Sequence, residues 1–177
     1  WTTESLCGGT GFSGNSGESK NNNKGRLRNK MTKEELVTLA QQAADNYGLQ
    51  RSLVCAVIEQ ESGWNTWAIR YEPAFLIKYV NPIPNLSATE RAARSTSWGL
   101  MQIMGQVARE LKLSAKYLSE LCDPELGLSY GCLHLRNKIQ RAGGNVGKGL
   151  LRYNGGGNQQ YDDEVLARVA TYKHLDR

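Results

Sequence analysis

The chain lacks several features that would place it in common protein classes. None of its 177 residues lies in an uninterrupted apolar run of about 18, the length a membrane-spanning helix requires. Its four cysteines contain no C-x-x-C pair, which argues against a zinc site or a thioredoxin-like motif. The two histidines, His134 and His174, are far apart in sequence, and we expect each to have a packing or solvent role. No metal or cofactor pattern is present, so we expect neither.

Residues 1–30 lack almost all aliphatic side chains, and they also lack the apolar segment of a cleavable signal peptide. They hold six glycines and the tract Asn21–Asn23, a composition that cannot bury enough surface to fold alone. Five basic and two acidic residues give this segment most of the chain's net charge of +5. Helical patterning begins at Met31, which looks like an original start. We interpret residues 1–30 as a Gly/Ser/Asn-rich basic leader or fusion segment, and 31–177 as one folded domain.

Helical periodicity accounts for most of residues 31–177. Thr32 and Glu35 form a capping box before a helix that Gly48 can end. Further main helices are predicted at 52–61, 100–111, 124–142, 145–153 and 161–175, with short ones at 73–79 and after Ser87. Three prolines between residues 64 and 98 exclude one continuous helix there, and no strand of convincing length appears. The sequence predicts an all-α domain with at most a small β-hairpin in this irregular stretch.

Glu61 is the most informative side chain of the chain. On a helix it shares one face with Val54, Val57 and Ile58, at offsets of three, four and seven residues. A carboxyl group at the rim of an apolar face is partly desolvated, which raises its pKa and allows it to donate a proton near neutral pH. The alternative is a structural glutamate that pairs with an arginine or a backbone amide.

Three short motifs follow one another along the domain: Glu61-Ser62-Gly63, then Ser97-Trp98-Gly99-Leu100-Met101-Gln102, then Tyr153-Asn154-Gly155-Gly156. In this order on an all-α frame, they resemble the catalytic domain of lytic transglycosylases. These enzymes belong to the lysozyme-like superfamily, which also contains the goose-type lysozymes. The resemblance covers residues 31–177. Two further stretches, Trp67–Pro73 and Cys122–Pro124, resemble the phage and prophage branch of the family.

The resemblance implies a lysozyme-like helical fold with a catalytic groove, and it implies roles for individual residues. Glu61 matches the single catalytic acid and base, Met101 and Gln102 match residues that line the glycan groove, and Tyr153 matches the aromatic residue that supports the catalytic carboxyl. Asn154 matches the residue beside it. With these we group, as substrate-binding candidates that include aromatic faces able to stack on sugars, Ser62, Tyr71, Glu72, Trp98 and Tyr161.

Cleavage of a β-1,4 glycosidic bond needs an acid, and most glycosidases also need a second carboxylate. The sequence offers no second one in an apolar setting near Glu61, which favours a lytic transglycosylase that closes a 1,6-anhydro ring without water. Glu72 is the competing carboxylate. It would allow hydrolysis by a goose-type muramidase on the same fold, unless it forms a salt bridge with Arg70 or Arg91. A catalytically silent peptidoglycan-binding domain is the remaining alternative.

The expected partner is bacterial peptidoglycan, because a mildly basic domain suits an anionic wall polymer. No nucleic-acid recognition motif is present, and five basic residues on residues 1–30 would give only weak, salt-sensitive attraction. We expect a monomer without a transmembrane segment that acts outside the cytoplasm. The pairing of the cysteines stays open at this stage.

Overall fold

The structure, a computed structural model, describes residues 31–176. The first helix, α1 (Lys33–Tyr47), begins with the predicted capping box: the Glu35 amide donates to Thr32 Oγ1 at 3.2 Å, and the Thr32 amide donates to Glu35 Oε2 at 2.8 Å. It ends at Gly48, which adopts the left-handed conformation that glycine tolerates best. Residues 1–30, which we interpret as a leader or fusion segment, lie outside the described residues.

Helices of different length make up most of the described chain. After α1 come α2 (Arg51–Ser62), α3 (Pro73–Phe75) with a π-helical turn at Leu76–Val80, α4 (Ala88–Arg94), α5 (Gly105–Glu110), α6 (Pro124–Arg141), α7 (Val146–Asn154) and α8 (Tyr161–Tyr172). Short 3₁₀ segments occupy Leu118–Cys122 and Lys173–Asp176. Asp123 caps α6 and Pro124 opens it, as predicted, because proline at the first helical position gives up no hydrogen bond.

Helix α2 lies at the centre of the core. Residues 52–58 are all buried, and the helix packs against α8 on one side and α1 on another, while α6 packs against α1 and α7. A helix segment that is buried on all faces must have neighbouring elements around it, and α1 and α8 are two of these neighbours. The C-terminal end of α2, which carries Glu61, is less enclosed than its middle.

The described residues also form a small antiparallel sheet. Strands β1 (Ile69–Tyr71), β2 (Thr96–Trp98) and β3 (Ile103–Met104) follow one another in the order β1-β2-β3. Ile69 pairs with Trp98, and Ser97 pairs with Met104. The all-α fold class with only a small β element is therefore confirmed. The element has three strands, each too short to give a periodic signal in the sequence.

The predicted helix at 100–111 is wrong over its first five residues. Gly99 and Gln102 both have positive φ, at 69° and 46°, so the chain turns sharply between β2 and β3. The helix begins only at Gly105. Leu100 and Met101 are apolar because they are buried beside this turn, which shows that tertiary contacts override a helical pattern of apolar residues.

Three cysteines lie within the described residues, and each carries a free, buried thiol: Cys55, Cys122 and Cys132. Burial raises the pKa of the Cys55 and Cys132 thiols to about 12. None of the helices in the described part of the chain has the length and hydropathy needed to span a bilayer.

Candidate active site

Glu61 lies in the last turn of α2, next to Gly63, which ends the helix in the left-handed conformation. Val54, Val57 and Ile58 on the same helical face are fully buried, and Glu61 itself is partly buried. Its Oε1 accepts a hydrogen bond of 2.5 Å from the Tyr161 hydroxyl. The carboxyl group therefore sits where the apolar core meets the surface, held by one strong donor.

Burial raises the pKa of the Glu61 carboxyl above its usual range, as the helical face predicts. Two influences act in the opposite direction: the hydrogen bond from Tyr161 and the positive charge of Arg70, both of which favour the carboxylate. Burial is the largest of the three, so the protonated form persists to higher pH than in an exposed glutamate. Such a group can donate a proton and can later hold a negative charge.

Two tyrosines flank this carboxyl from α8 and α7. Tyr161 is only 2% exposed, and burial raises the pKa of its hydroxyl, so it stays a donor to Glu61. Tyr153 donates to the Met101 carbonyl at 2.7 Å. Burial and the charge of Glu61 raise the pKa of Tyr153. The residue that bonds directly to Glu61 is Tyr161, whereas the resemblance had assigned that supporting role to Tyr153.

The Tyr153 ring in turn packs against His134, with the ring centres 5.2 Å apart. Burial lowers the pKa of His134 to about 4, so its imidazole is neutral at ordinary pH. This is the packing role expected for His134.

Gln102 ties the turn between β2 and β3 to the loop before β1. Its Nε2 donates to the Ala68 and Gly99 carbonyls, each at 2.9 Å, and its Oε1 accepts from Ser97 Oγ at 3.0 Å. Because its whole amide is bonded within the protein, Gln102 stabilises its positive φ of 46° and fixes the strand connection. In the structure, the Gln102 side chain thus holds the β2–β3 turn against the segment before β1.

The prediction that the Met101 side chain lines a groove is wrong. Met101 is 0% exposed, and its Sδ lies 4.0 Å from Cys132 Sγ in the core. A methyl group on Gly131 would collide with it, so α6 and this side chain pack in close contact. Only the Met101 carbonyl reaches towards the site, where it accepts the Tyr153 hydrogen bond.

Arg70 and Glu72 form an ion pair at the end of β1, with Arg70 Nε 2.5 Å from Glu72 Oε1. This is the salt bridge named as the alternative to a groove role for Glu72. Successive side chains of a strand point to opposite faces, so Tyr71 lies on the face away from Arg70 and Glu72. Tyr71 is 49% exposed there. The positive charge of Arg70 lowers the pKa of Glu61, which places β1 within electrostatic range of the catalytic candidate.

The remaining predicted substrate contacts are bonded within the protein through their polar atoms. Ser62 Oγ donates to the Ile58 carbonyl at 3.1 Å, and Trp98 Nε1 donates to the Ala93 carbonyl at 3.0 Å. Asn154 Oδ1 accepts from the Asn158 amide at 2.8 Å, which closes the glycine loop after α7. Trp98 and Asn154 are both partly exposed, so their role as substrate contacts stays a prediction.

Sequence reasoning missed three polar residues near the site: Gln60, Asn158 and Glu164. Glu164 Oε2 accepts from Gln60 Nε2 at 2.7 Å and from Asn158 Nδ2 at 3.1 Å. The available signal was the spacing of Glu164 from Tyr161, three residues on one helical face. Arg70 was considered only as a partner for Glu72, because its influence on Glu61 depends on the fold.

No group of three or more His, Cys, Asp or Glu side chains within residues 31–176 is arranged to hold a metal ion. A surface cavity of about 510 Å³ lies between α1 and α6, lined by Gln42, Tyr47 and Ser129 among others. Neither Glu61 nor Tyr161 lines this cavity, so it is separate from the candidate site.

Comparison with known families gives one assignment. The transglycosylase SLT domain matches residues 38–173, which contain Glu61, the strand connection at Gln102, and both tyrosines of the site. No solved structure matches the chain significantly. Because the match extends over more than half of the sequence, the chain belongs to the transglycosylase SLT domain family, and membership implies peptidoglycan lytic transglycosylase activity.

Proposed function

We propose that the chain is a lytic transglycosylase that cleaves the β-1,4 bond between N-acetylmuramic acid and N-acetylglucosamine, with Glu61 as its single acid and base. The observation that carries this proposal is the setting of Glu61. Its carboxyl group has a pKa raised by burial, it lies at the surface end of a buried helix, and a 2.5 Å hydrogen bond from Tyr161 fixes its orientation.

The same carboxyl group serves both steps of the reaction. In the first, protonated Glu61 gives its proton to the glycosidic oxygen, the bond between that oxygen and C1 of muramic acid breaks, and N-acetylglucosamine leaves with a free hydroxyl. In the second, the Glu61 carboxylate takes the proton of the C6 hydroxyl on the same muramic acid, and O6 bonds to C1. A 1,6-anhydro ring closes, Glu61 is protonated again, and no water is consumed.

The surroundings of Glu61 suit both of its charge states. Burial raises the pKa of Glu61 and so favours the acid form, while the Tyr161 hydroxyl and the nearby Arg70 charge stabilise the carboxylate that forms after the first step. The N-acetyl group of the substrate can stabilise the sugar cation, as in substrate-assisted glycosidases. One carboxyl group is then sufficient for the whole cycle.

Hydrolysis is the second candidate, favoured by one observation. Glu72, which directly follows β1, pairs with Arg70, whose charge acts on Glu61, so Glu72 is the candidate for a second carboxylate. If Glu72 activated a water molecule, the enzyme would be a muramidase with reducing ends as its products. The ion pair with Arg70 opposes this role, because it engages Glu72 Oε1 and favours the structural interpretation of this side chain.

The substrate of this reaction is a wall polymer, so we propose that the domain acts outside the cytoplasm as a monomer. The assignment to the phage and prophage branch and the relation to goose-type lysozymes remain predictions. A catalytically silent peptidoglycan-binding domain would keep the same fold and lose only turnover.

The test compares Glu61→Gln with Glu59→Gln on purified peptidoglycan, followed by mass spectrometry of the released sugars. Gln is nearly isosteric with Glu and can accept the Tyr161 hydrogen bond, but it cannot deliver a proton. General acid–base catalysis contributes about 10²–10⁴-fold, so we expect at least that loss for Glu61→Gln with binding to insoluble wall retained. Glu59, on the same helix, has a side chain that is 34% exposed and lies 4.0 Å from Lys33 Nζ, so it is a matched control.

We expect 1,6-anhydro ends from the unchanged chain and from Glu59→Gln. Predominantly reducing ends would replace the transglycosylase by a hydrolase and promote Glu72. A well-folded Glu61→Gln variant that keeps more than a few per cent of the activity would mean that another residue is the acid. Wall binding without any turnover by the unchanged chain would leave the silent binding domain as the function.

A further inference from the structure

The carboxylate of Glu164 joins two parts of the protein that meet beside the site. It lies in the first turn of α8, and one of its oxygens, Oε2, accepts from Gln60 of α2 at 2.7 Å and from Asn158 of the α7–α8 loop at 3.1 Å. Hydrogen bonds to an ionised acceptor are the stronger ones in proteins. A single side chain thus fastens the end of α2 to the loop before α8.

Gln60 and Glu164, which this hydrogen bond joins, each lie close in sequence to a residue of the candidate site. Gln60 directly precedes Glu61 in α2, and Glu164 is one turn along α8 from Tyr161, which donates to Glu61. Asn158 also donates its amide to Asn154, so the loop that carries it is closed at its base. The distance between α2 and the start of α8 therefore sets whether the Tyr161 hydroxyl can reach Glu61.

Among residues 31–176, Glu164 is the polar partner of the Gln60 side chain. Gln60 Oε1 is buried and has no hydrogen-bond partner in the described part of the chain, whereas its Nε2 binds Glu164. An unpartnered buried amide oxygen is costly, and proteins keep few of them. Gln60 holds this unfavourable position because its other end is fastened to the carboxylate of Glu164.

We propose that Glu164 is a positioning residue: it fastens α8 and the α7–α8 loop to the end of α2 and thereby holds the Tyr161 hydroxyl against Glu61. The inference rests on the proposed function of Glu61. Glu164 touches neither the substrate nor the reacting atoms. Within residues 31–176, the titratable or charged groups that act on Glu61 are Tyr161 from α8, Tyr153 from α7 and Arg70 from β1, and of these Tyr161 is on the helix that carries Glu164.

The test uses the full chain with Glu164→Ala, Glu164→Gln and the control Asp163→Ala. Asp163 is an exposed carboxylate in the same helical turn. Its replacement also removes a negative charge that stabilises the N-terminus of α8, but it leaves the hydrogen bonds of Glu164 intact. Two quantities are measured: kcat and KM on soluble glycan fragments, and the titration of the Glu61 carboxyl carbon by ¹³C NMR. The titration needs no turnover.

We expect Glu164→Ala to lower kcat about tenfold to a hundredfold with little change in KM, since a misplacement of about 1 Å can cost about a hundredfold. The Glu61 pKa should be higher in Glu164→Ala than in Glu164→Gln, because both variants lack the Glu164 charge but the bond from Tyr161 that lowers this pKa is weakened in Glu164→Ala. Glu164→Gln should recover most of kcat, since its amide oxygen still accepts a hydrogen bond. Asp163→Ala should leave both quantities unchanged.

The same Glu61 titration in folded Glu164→Ala and Glu164→Gln, or equal effects of Glu164→Ala and Asp163→Ala, would overturn the proposal. If Glu164→Ala does not fold, Gln60→Met removes one donor of the connection with little change in volume. It should then raise the Glu61 pKa to a smaller extent, and no shift would count against the idea. Should the unchanged chain cleave no peptidoglycan, the proposed function fails, while the NMR titration still decides whether Glu164 positions Tyr161.

Discussion

Replacement of Tyr161 by phenylalanine would remove one hydroxyl from the site and leave the ring in place. The ring is 2% exposed and packs within the core, so its apolar contacts should survive. The lost interaction is the 2.5 Å hydrogen bond to Glu61 Oε1. A hydrogen bond to a charged group contributes about 1.5–3 kcal/mol, and one between neutral groups about 0.5–1.5 kcal/mol. The cost of the substitution should therefore depend on the charge of Glu61.

The sign of that dependence follows from the raised pKa of Glu61 in the folded state. A carboxyl group with a raised folded pKa stabilises the protein below its unfolded pKa, and this stabilisation is lost as pH rises through the folded pKa. Tyr161 opposes the rise because it binds the carboxylate. In Tyr161→Phe the folded pKa of Glu61 is higher still, so the variant should lose more stability than the unchanged protein between acid and neutral pH.

Urea unfolding at a series of pH values measures this directly. We expect a difference in unfolding free energy of about 0.5–1.5 kcal/mol at pH values where Glu61 is protonated and about 1.5–3 kcal/mol above its folded pKa, with an unchanged dependence on urea concentration. In a Glu61→Gln background the pH-dependent part should disappear. A Tyr161→Phe penalty that is constant with pH, or larger in acid, would refute the assignment of this hydrogen bond to ionised Glu61.

Three other predictions concern different parts of the chain. Glu72→Gln should reduce wall cleavage far less than Glu61→Gln, because its carboxylate is held in an ion pair; similar losses in two folded variants would show that both share the chemistry. Gly131→Ala should destabilise the protein by about 1–3 kcal/mol in urea unfolding, because the new Cβ would lie 2.7 Å from Met101 Cβ, and an unchanged midpoint would contradict that packing. A chain that starts at Met31 should keep lysis rates within about tenfold of the full chain; a larger loss, roughly 1.4 kcal/mol in the barrier, would give residues 1–30 a role in catalysis.

The helices with local signals could be predicted from the sequence. The capping box of Thr32 and Glu35, the left-handed Gly48 and the Asp123–Pro124 start all act within a few residues of each other. The partial burial of Glu61 could also be predicted, because a helical face is a local periodicity. The fold class followed from these elements.

The parts that could not be predicted depend on contacts between distant segments. Gln102 has a positive φ, and its side-chain Nε2 donates to the Ala68 carbonyl, 34 residues earlier in the chain. No local sequence pattern indicates that hydrogen bond. Tyr161 meets Glu61 across 100 residues, so helical spacing explained it equally well as a packing residue. The sequence also could not show that the Met101 side chain is buried, because a short apolar motif does not indicate which of its residues face the core.

The three buried thiols have a consequence for the chemical environments that the domain can tolerate. Oxidation and disulfide exchange proceed through the thiolate, and the pKa of about 12 for Cys55 and Cys132 leaves almost none of it at neutral pH. Cys122 is buried as well, and its pKa is also raised. Since these three thiols are free, residues 31–176 contain no disulfide among them that reducing conditions could break, and their burial protects them under oxidising conditions. The folded state of this part of the chain should therefore not depend on the oxidation of its cysteines.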